Sequence, residues 1–201
     1  MAAPRSAHSA VRLRNGEVLV TGGRSKQGEP VLATVEVYNP SDGAWFQGAS
    51  MSEGRQSHTS ILLTDGRVLV VGGADEEGRA TDSAEVYDAS SDTWSTAAKQ
   101  TERRSRHSMT LLPDGRVMVA GGFGGGANLA STEIYDPHSD TWSAASDMTQ
   151  SRRFHTATLL VDGRVLVAGG MGQGQAVLAS AETYDPISNT WTLTSVAATN
   201  P

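Results

Sequence analysis

The chain has 201 residues, of which 38% are apolar, and this is enough to bury the core of one domain or one repeat array. It has no cysteine, so disulfides, thiol nucleophiles and thiolate metal sites are excluded. The net charge of −6 argues against sequence-independent nucleic-acid binding, and no window is apolar enough to span a membrane.

An apolar run that ends in two glycines occurs four times, once every 48 to 50 residues. The glycines are Gly22, Gly23, Gly72, Gly73, Gly121, Gly122, Gly169 and Gly170. An arginine precedes each run, and a tyrosine follows it with a tryptophan seven residues later. These aromatic residues are Tyr38, Tyr87, Tyr135, Tyr184, Trp45, Trp94, Trp142 and Trp191. A fixed period of this size predicts a repeat architecture.

The first repeat, residues 1–50, predicts four strands joined by short connections. Residues 8–13 are typical of a strand, and Asn15-Gly16 then favours a two-residue hairpin turn. Residues 18–21 form the partner strand, whose consecutive apolar residues predict burial on both faces. Residues 34–38 form the third strand, and Trp45 opens the fourth after a stretch rich in turn formers.

The later repeats follow the same order over residues 51–99, 100–147 and 148–196, with a tail over 197–201. Four-stranded sheets repeated around an axis predict an all-β fold, a β-propeller of four antiparallel blades. The repeated tyrosines and tryptophans are expected to fill the space between blades. We expect one domain over residues 1–201.

The glycine pair, the tyrosine and tryptophan and the period near 50 residues resemble the kelch repeat over essentially the whole chain. The Arg-x-x-His and Asp-Gly-Arg-Val-Leu-Val segments are most similar to bacterial and galactose-oxidase-like kelch repeats. The resemblance implies kelch-type blades, and it implies binding modules, adaptors or a few enzymes rather than one function. Kelch propellers usually have six or seven blades, whereas this chain has four repeats.

Three arrangements follow from that difference: a closed four-bladed ring, a homodimer that joins the open blade faces of two chains, or an open arc of a larger propeller. The first 16 residues contain no apolar signal segment. Because Met1 stands at a repeat boundary, removal of a leader or of further repeats is an alternative. The compartment stays open between secreted and cytoplasmic.

The repeated arginines allow two interpretations. They are Arg5, Arg55, Arg104 and Arg152. They begin the innermost strands, so they would form a ring at the channel mouth that holds a carboxylate or phosphate. Alternatively, each pairs with the glutamate that recurs with it. These glutamates are Glu36, Glu85, Glu133 and Glu182.

The repeated histidines are interpreted as hydrogen-bonding residues between blades. They are His8, His58, His107 and His155. Their spacing matches no metal-binding motif, so neither a metal site nor a cofactor is predicted. The acidic residues Asp75, Glu76 and Glu77 with Asp82 are interpreted as a solvated charged loop.

The loops after the glycine pairs and the crossings between blades vary from repeat to repeat, and in a blade they lie on the same face. Binding residues are therefore expected there. Arg103, Phe123, Arg153 and Phe154 stand outside the repeat pattern in these segments. An exposed aromatic beside an arginine is typical of binding hot spots, so these four residues are the predicted binding site.

Three functions remain open. The first is a non-catalytic binding or scaffold module whose variable loops recognise protein or carbohydrate. It is favoured because the repeat explains nearly every distinctive residue and leaves no converging catalytic set. The second is a structural propeller fragment that closes by self-association. The third is a carbohydrate-active enzyme, although galactose-oxidase chemistry needs a cysteine-crosslinked tyrosine and the chain has no cysteine.

Overall fold

The computed structural model describes residues 1, 3–26 and 29–194. The chain divides into two compact units, Met1–Arg106 and His107–Pro201. The predicted tail over residues 197–201 lies outside the described residues, as do the last two residues of the predicted fourth blade. The single domain over residues 1–201 stays a prediction.

The first unit contains two four-stranded antiparallel sheets, in which strands that follow one another in sequence are also neighbours in space. The first sheet consists of β1 (Ser9–Arg12), β2 (Val18–Thr21), β3 (Val35–Asn39) and β4 (Ala44–Gly48). The second consists of β5 (Thr59–Leu62), β6 (Val68–Val71), β7 (Ala84–Asp88) and β8 (Thr93–Ala97). Strands β1, β2 and β3 match the bounds predicted for the first repeat to within one residue.

The second unit repeats this order, with additions in its loops. Its strands are β9 (Ser108–Leu111), β10 (Val117–Ala120), the short β11 (Phe123–Gly124) and β12 (Ala127–Asn128), β13 (Thr132–Asp136), β14 (Thr141–Ala145), β15 (Thr156–Leu159), β16 (Val165–Ala168), β17 (Ala181–Asp185) and β18 (Thr190–Leu193). Strands β11 and β12 form a hairpin of their own. A 3-10 helix, Gln173–Gln175, lies between β16 and β17.

The four larger sheets confirm the predicted all-β fold of four-stranded antiparallel propeller blades. The second strand of each blade carries the core. Every residue of β6 and β10 is buried, as the consecutive apolar residues predicted, because both sheet faces are covered. Among the residues that the structure describes, none belongs to a helix long and apolar enough to cross a membrane.

The glycine pair marks the point where the next blade approaches. Gly22 has φ +60°, and a Cβ atom there would lie 2.4 Å from the carbonyl oxygen of Arg55. The amide of Gly23 donates to that same oxygen at 2.8 Å. Side chains at these positions would push the two blades apart, so the fold requires glycine.

Each repeated tyrosine faces its tryptophan across the last two strands of the blade, with ring centroids 5.0 to 5.1 Å apart. The Tyr87 hydroxyl donates to Asp92 Oδ1 at 2.8 Å, and Trp94 Nε1 donates to the Ala49 carbonyl at 2.8 Å. The second bond joins the second blade to the end of the first. Trp45 differs from the expectation that all four tryptophans fill inter-blade space, because 38% of it is exposed.

Candidate functional site

The repeated arginines form ion pairs and hydrogen bonds inside their own blades. Arg55 Nη2 lies 2.7 Å from Glu85 Oε1, and its Nη1 donates to the Gly72 carbonyl at 2.8 Å. The equivalent pairs are Arg5 with Glu36 at 2.7 Å and Arg152 with Glu182 at 2.8 Å. These contacts confirm the arginine–glutamate interpretation for three blades, and Arg104 is also fully buried, 3.5 Å from Glu102. A ring of arginines at a channel mouth stays a prediction.

Two of the repeated histidines connect neighbouring blades, as the sequence predicted. His58 Nε2 lies 2.8 Å from Thr21 Oγ1, and His155 Nε2 lies 2.8 Å from Ser108 Oγ. Burial, with a smaller contribution from Arg55, lowers the pKa of His58 to about 3. Burial and the nearby Arg152 lower the pKa of His155 to about 4. Both histidines are therefore neutral at pH 7.

One arginine offsets part of the negative charge of the acidic loop in the second blade. Arg79 lies 2.7 Å from Asp75 and 2.8 Å from Glu77, and Asp75 also accepts the backbone amide of Glu77 at 3.1 Å. Within the described part of the chain, no three His, Asp or Glu side chains are grouped as metal ligands would be. The loop is a charged surface turn.

Three of the four predicted binding residues come together in the second unit. The guanidinium carbon of Arg153 lies 4.9 Å from the ring centroid of Phe123 and 5.8 Å from that of Phe154. These distances are within the range of cation–π contacts. No carboxylate of the described residues forms an ion pair with Arg153. We call this group the Phe123–Arg153–Phe154 cluster.

The cluster adjoins an open cavity of about 450 Å³ beside the β11–β12 hairpin. Asn128 and the amide side chains of Gln173 and Gln175 line the cavity together with Phe123 and Arg153. Asn128 Nδ2 donates to the Met171 carbonyl at 3.1 Å, so the hairpin is tied to the loop that precedes the 3-10 helix. The site offers a cation, aromatic rings and amides.

The fourth predicted residue, Arg103, belongs to the first unit. Its Nε atom lies 3.8 Å from Asp82 Oδ2, and Lys99 lies at the same distance from the other oxygen of that carboxylate. Its charge therefore has a local counter-ion, unlike that of Arg153.

The sequence did not single out Asn128, Gln173 or Gln175. The only signal was that three consecutive glycines, residues 124–126, stand two positions before Asn128, and glycines favour a tight hairpin turn.

The model of the KLHDC2/KLHL20/DRC7 Kelch-repeats domain matches residues 3–201 of this sequence. No curated protein matches the sequence significantly. The family match indicates a propeller module of a kind that generally mediates protein interactions, and it agrees with the four-stranded blades and their glycine pairs. Because the match covers nearly the whole sequence, the chain belongs to the Kelch-repeat family.

Proposed function

We propose that the chain is a non-catalytic module that binds a partner protein through the loop surface of its third and fourth blades. One observation carries this proposal. Arg153 lies against two phenylalanine rings at that surface and forms no ion pair with the described residues. An arginine between aromatic rings is a common centre of protein-binding surfaces.

The blade fold does not require these side chains. At the positions of Arg153 and Phe154, the second blade has Gln56 and Ser57 and otherwise the same Arg-x-x-His segment. The first blade has Ser6 and Ala7 there, in the same backbone conformation as Phe154. The arginine and phenylalanine are therefore additions to the repeat rather than parts of it.

The exposure of the Phe154 ring supports the proposal. It has φ +56°, in the left-handed region, and 57% of it is exposed. The left-handed conformation costs about 1–2 kcal/mol for a residue with a Cβ, and an exposed ring offsets little of this by burial. Ala7, Ser57 and Arg106 adopt the same conformation in the other blades, so the fold imposes it, and the exposed aromatic ring is what distinguishes the fourth blade.

The chemistry of the cluster describes the surface that it would bind. The phenylalanine rings shield the guanidinium from part of the solvent, which strengthens its attraction for an anion. The partner is expected to place a carboxylate against Arg153 and an apolar side chain against Phe154. The amides of Gln173 and Gln175 would accept polar contacts at the rim.

The test uses the double variant Arg153→Gln with Phe154→Ser, which copies the second blade. Immobilised wild-type protein and variant are compared for the proteins that they capture from an extract of the source cells, by quantitative mass spectrometry. We expect proteins that bind the wild type to be lost from the double variant. They should remain on a control variant, Arg67→Gln, which alters a half-exposed arginine in a turn of the first unit.

Capture of the same proteins by wild type and double variant would show that the cluster is not the site. If the wild type captures nothing above the background, the structural-fragment alternative is favoured. Melting curves followed by circular dichroism establish that the variants are folded. Because the double variant carries the residues of the second blade, where Ser57 has the same backbone conformation as Phe154, we expect its melting temperature to be close to that of the wild type.

A further inference from the structure

The second unit has a groove at the strand ends opposite the Phe123–Arg153–Phe154 cluster. The turns between β9 and β10, β15 and β16, and β17 and β18 form it, and its volume is about 720 Å³. Pro113, Val161, Pro186 and Ile187 supply its apolar lining, and we call it the turn groove. A volume of this size is within the range of cavities that enclose ligands.

Two side chains of the turn groove are fully exposed to solvent. The relative exposure of Val161 is 111% and that of Ile187 is 96%. Both lie in turns, where polar residues are the common choice. Apolar side chains that line one groove and that no other described residue covers mark a surface for interaction.

The first unit shows that the blade fold does not need an apolar groove here. At the positions of Pro113, Val161 and Ile187, its blades have Arg14, Thr64 and Ser90. The corresponding groove has a volume of about 360 Å³ and is lined by Arg14, Asn15 and other polar residues. The apolar lining is thus specific to the third and fourth blades.

The difference in volume has a direct cause. The Arg14 side chain crosses to the next turn, where its Nη2 atom donates to the Thr64 carbonyl, and a Cβ atom at Gly66 would lie 3.3 Å from its Nε. Pro113 occupies the same position in the third blade, and its ring is too short to reach across the groove. A Cβ atom at Gly163 would lie 3.7 Å from Pro113 Cγ, so the proline leaves the groove open.

The charges around the turn groove indicate what it can bind. Arg116 lies 2.7 Å from Asp114, and Arg164 lies 2.7 Å from Asp162, so both cations are neutralised within their own turns. Asp185 accepts the backbone amide of Ile187 at 2.8 Å, which holds this turn in shape. The Ser188 amide also donates to Asp185, at 3.4 Å, so each charge of the groove is met by an ion pair or by hydrogen bonds within its own turn, and an uncharged occupant is favoured.

We propose that the turn groove docks a short, uncharged, apolar peptide segment of another protein. The occupant contacts Val161 and Ile187 with apolar side chains and rests on Pro113 and Pro186, while the paired charges form a polar rim. This surface is chemically different from the Phe123–Arg153–Phe154 cluster, which attracts a carboxylate. The chain therefore presents two binding surfaces at opposite ends of the same blades.

The test selects peptides from a random peptide display library against the full chain. Each selected peptide is measured by fluorescence anisotropy on the wild type, on Val161→Thr with Ile187→Ser, and on Arg153→Gln with Phe154→Ser. The variant Val161→Thr with Ile187→Ser carries the residues of the second blade at the turn groove. The variant Arg153→Gln with Phe154→Ser carries the residues of the second blade at the cluster. Since Val161 and Ile187 are fully exposed, the turn-groove variant should melt like the wild type.

We expect peptides rich in uncharged apolar residues, whose affinity falls at least about tenfold on the turn-groove variant and is unchanged on the cluster variant. Pro113→Arg, which restores the arginine of the first blade, should block the same peptides by filling the groove. A selection that yields no peptide sensitive to the turn-groove variant would overturn the proposal, as would selected peptides that are acidic and depend on Arg153. The second outcome would leave the function proposed for the cluster intact.

Discussion

At the scale of single residues, the chain stabilises buried charges by surrounding them with hydrogen bonds. Glu182 has a fully buried side chain that receives Arg152 Nη2 at 2.8 Å and the Thr149 amide at 2.7 Å. Burial alone would raise its pKa, but the bonds from Thr149 and Arg152 hold the pKa below its usual range. The ion pair is therefore one part of a buried hydrogen-bonded network.

The substitution Glu182→Gln should lower the free energy of unfolding by about 3–5 kcal/mol, because it leaves Arg152 buried without a counter-charge. The exposed pair of Arg164 with Asp162 provides the comparison, and Arg164→Gln should leave the urea midpoint nearly unchanged. Urea unfolding followed by tryptophan fluorescence measures both variants. Equal losses of stability in the two would contradict the structural role given to the buried pair.

At the scale of elements, the glycine pair determines how the second strand of one blade meets the next blade. A Cβ atom at Gly121 would lie 2.5 Å from the Arg152 carbonyl and 2.9 Å from His155 Cε1. At Gly169, in the fourth blade, the nearest atom would be the Leu178 carbonyl at 3.7 Å. The two glycines share nearly the same left-handed conformation, with φ of +62° and +67°, so they differ in crowding alone.

We expect Gly121→Ala to lower the free energy of unfolding by about 1–3 kcal/mol more than Gly169→Ala. Backbone strain is common to both variants and cancels in the comparison. The extra cost in Gly121→Ala comes from displacing the Arg152 carbonyl, which also accepts the Gly122 amide at 2.8 Å. Chemical unfolding measures the difference, and two variants of equal stability would show that crowding at Gly121 is relieved without cost.

The regular parts of the blades could be predicted from the sequence because their contacts recur with the repeat. The arginine and glutamate that recur together turned out to pair, and the apolar run of β6 is buried on both faces. The exposure of Trp45 could not be predicted, since four tryptophans in equivalent positions look alike in a sequence. Tertiary surroundings, rather than local pattern, decide how much of each is covered.

The sites outside the repeat were harder to predict. Arg153 and Phe154 are adjacent in sequence, so their proximity was expected, but the position of Asn128 depends on the hairpin formed by β11 and β12. The turn groove depends on the reach of Arg14 compared with that of Pro113. Such differences are properties of single side chains in loops, where no periodic pattern reports on contacts.

At the scale of the whole molecule, burial of neutral histidines makes stability depend on pH. His58 lies in the first unit and His155 in the second, and each has a pKa well below the usual 6.5. The charged groups that face them are Arg55 and His8 for His58, and Arg152 for His155. Between pH 6.5 and about 4, the unfolded chain binds protons at these positions that the folded chain does not.

Stability is therefore expected to be highest above pH 6.5 and to fall as the pH decreases. From pH 7 to pH 5 the free energy of unfolding should drop by roughly 2 kcal/mol for each of the two histidines. Urea unfolding at several pH values measures the slope, and His155→Gln should reduce it because the variant has no proton to gain there. A slope that is flat between pH 7 and pH 5 would mean that the histidines are protonated in the folded chain.

In three of the four glycine pairs, the amide of the second glycine donates to a carbonyl at the start of the next blade. Gly23 donates to the Arg55 carbonyl, Gly73 to the Arg104 carbonyl and Gly122 to the Arg152 carbonyl, all at 2.8 to 2.9 Å. Since only main-chain atoms form these joints, any copy of a repeat carries both the donor and the acceptor. A duplicated repeat thus brings this connection with it whatever side chains its loops carry, so the loops can diverge in sequence without breaking the bond.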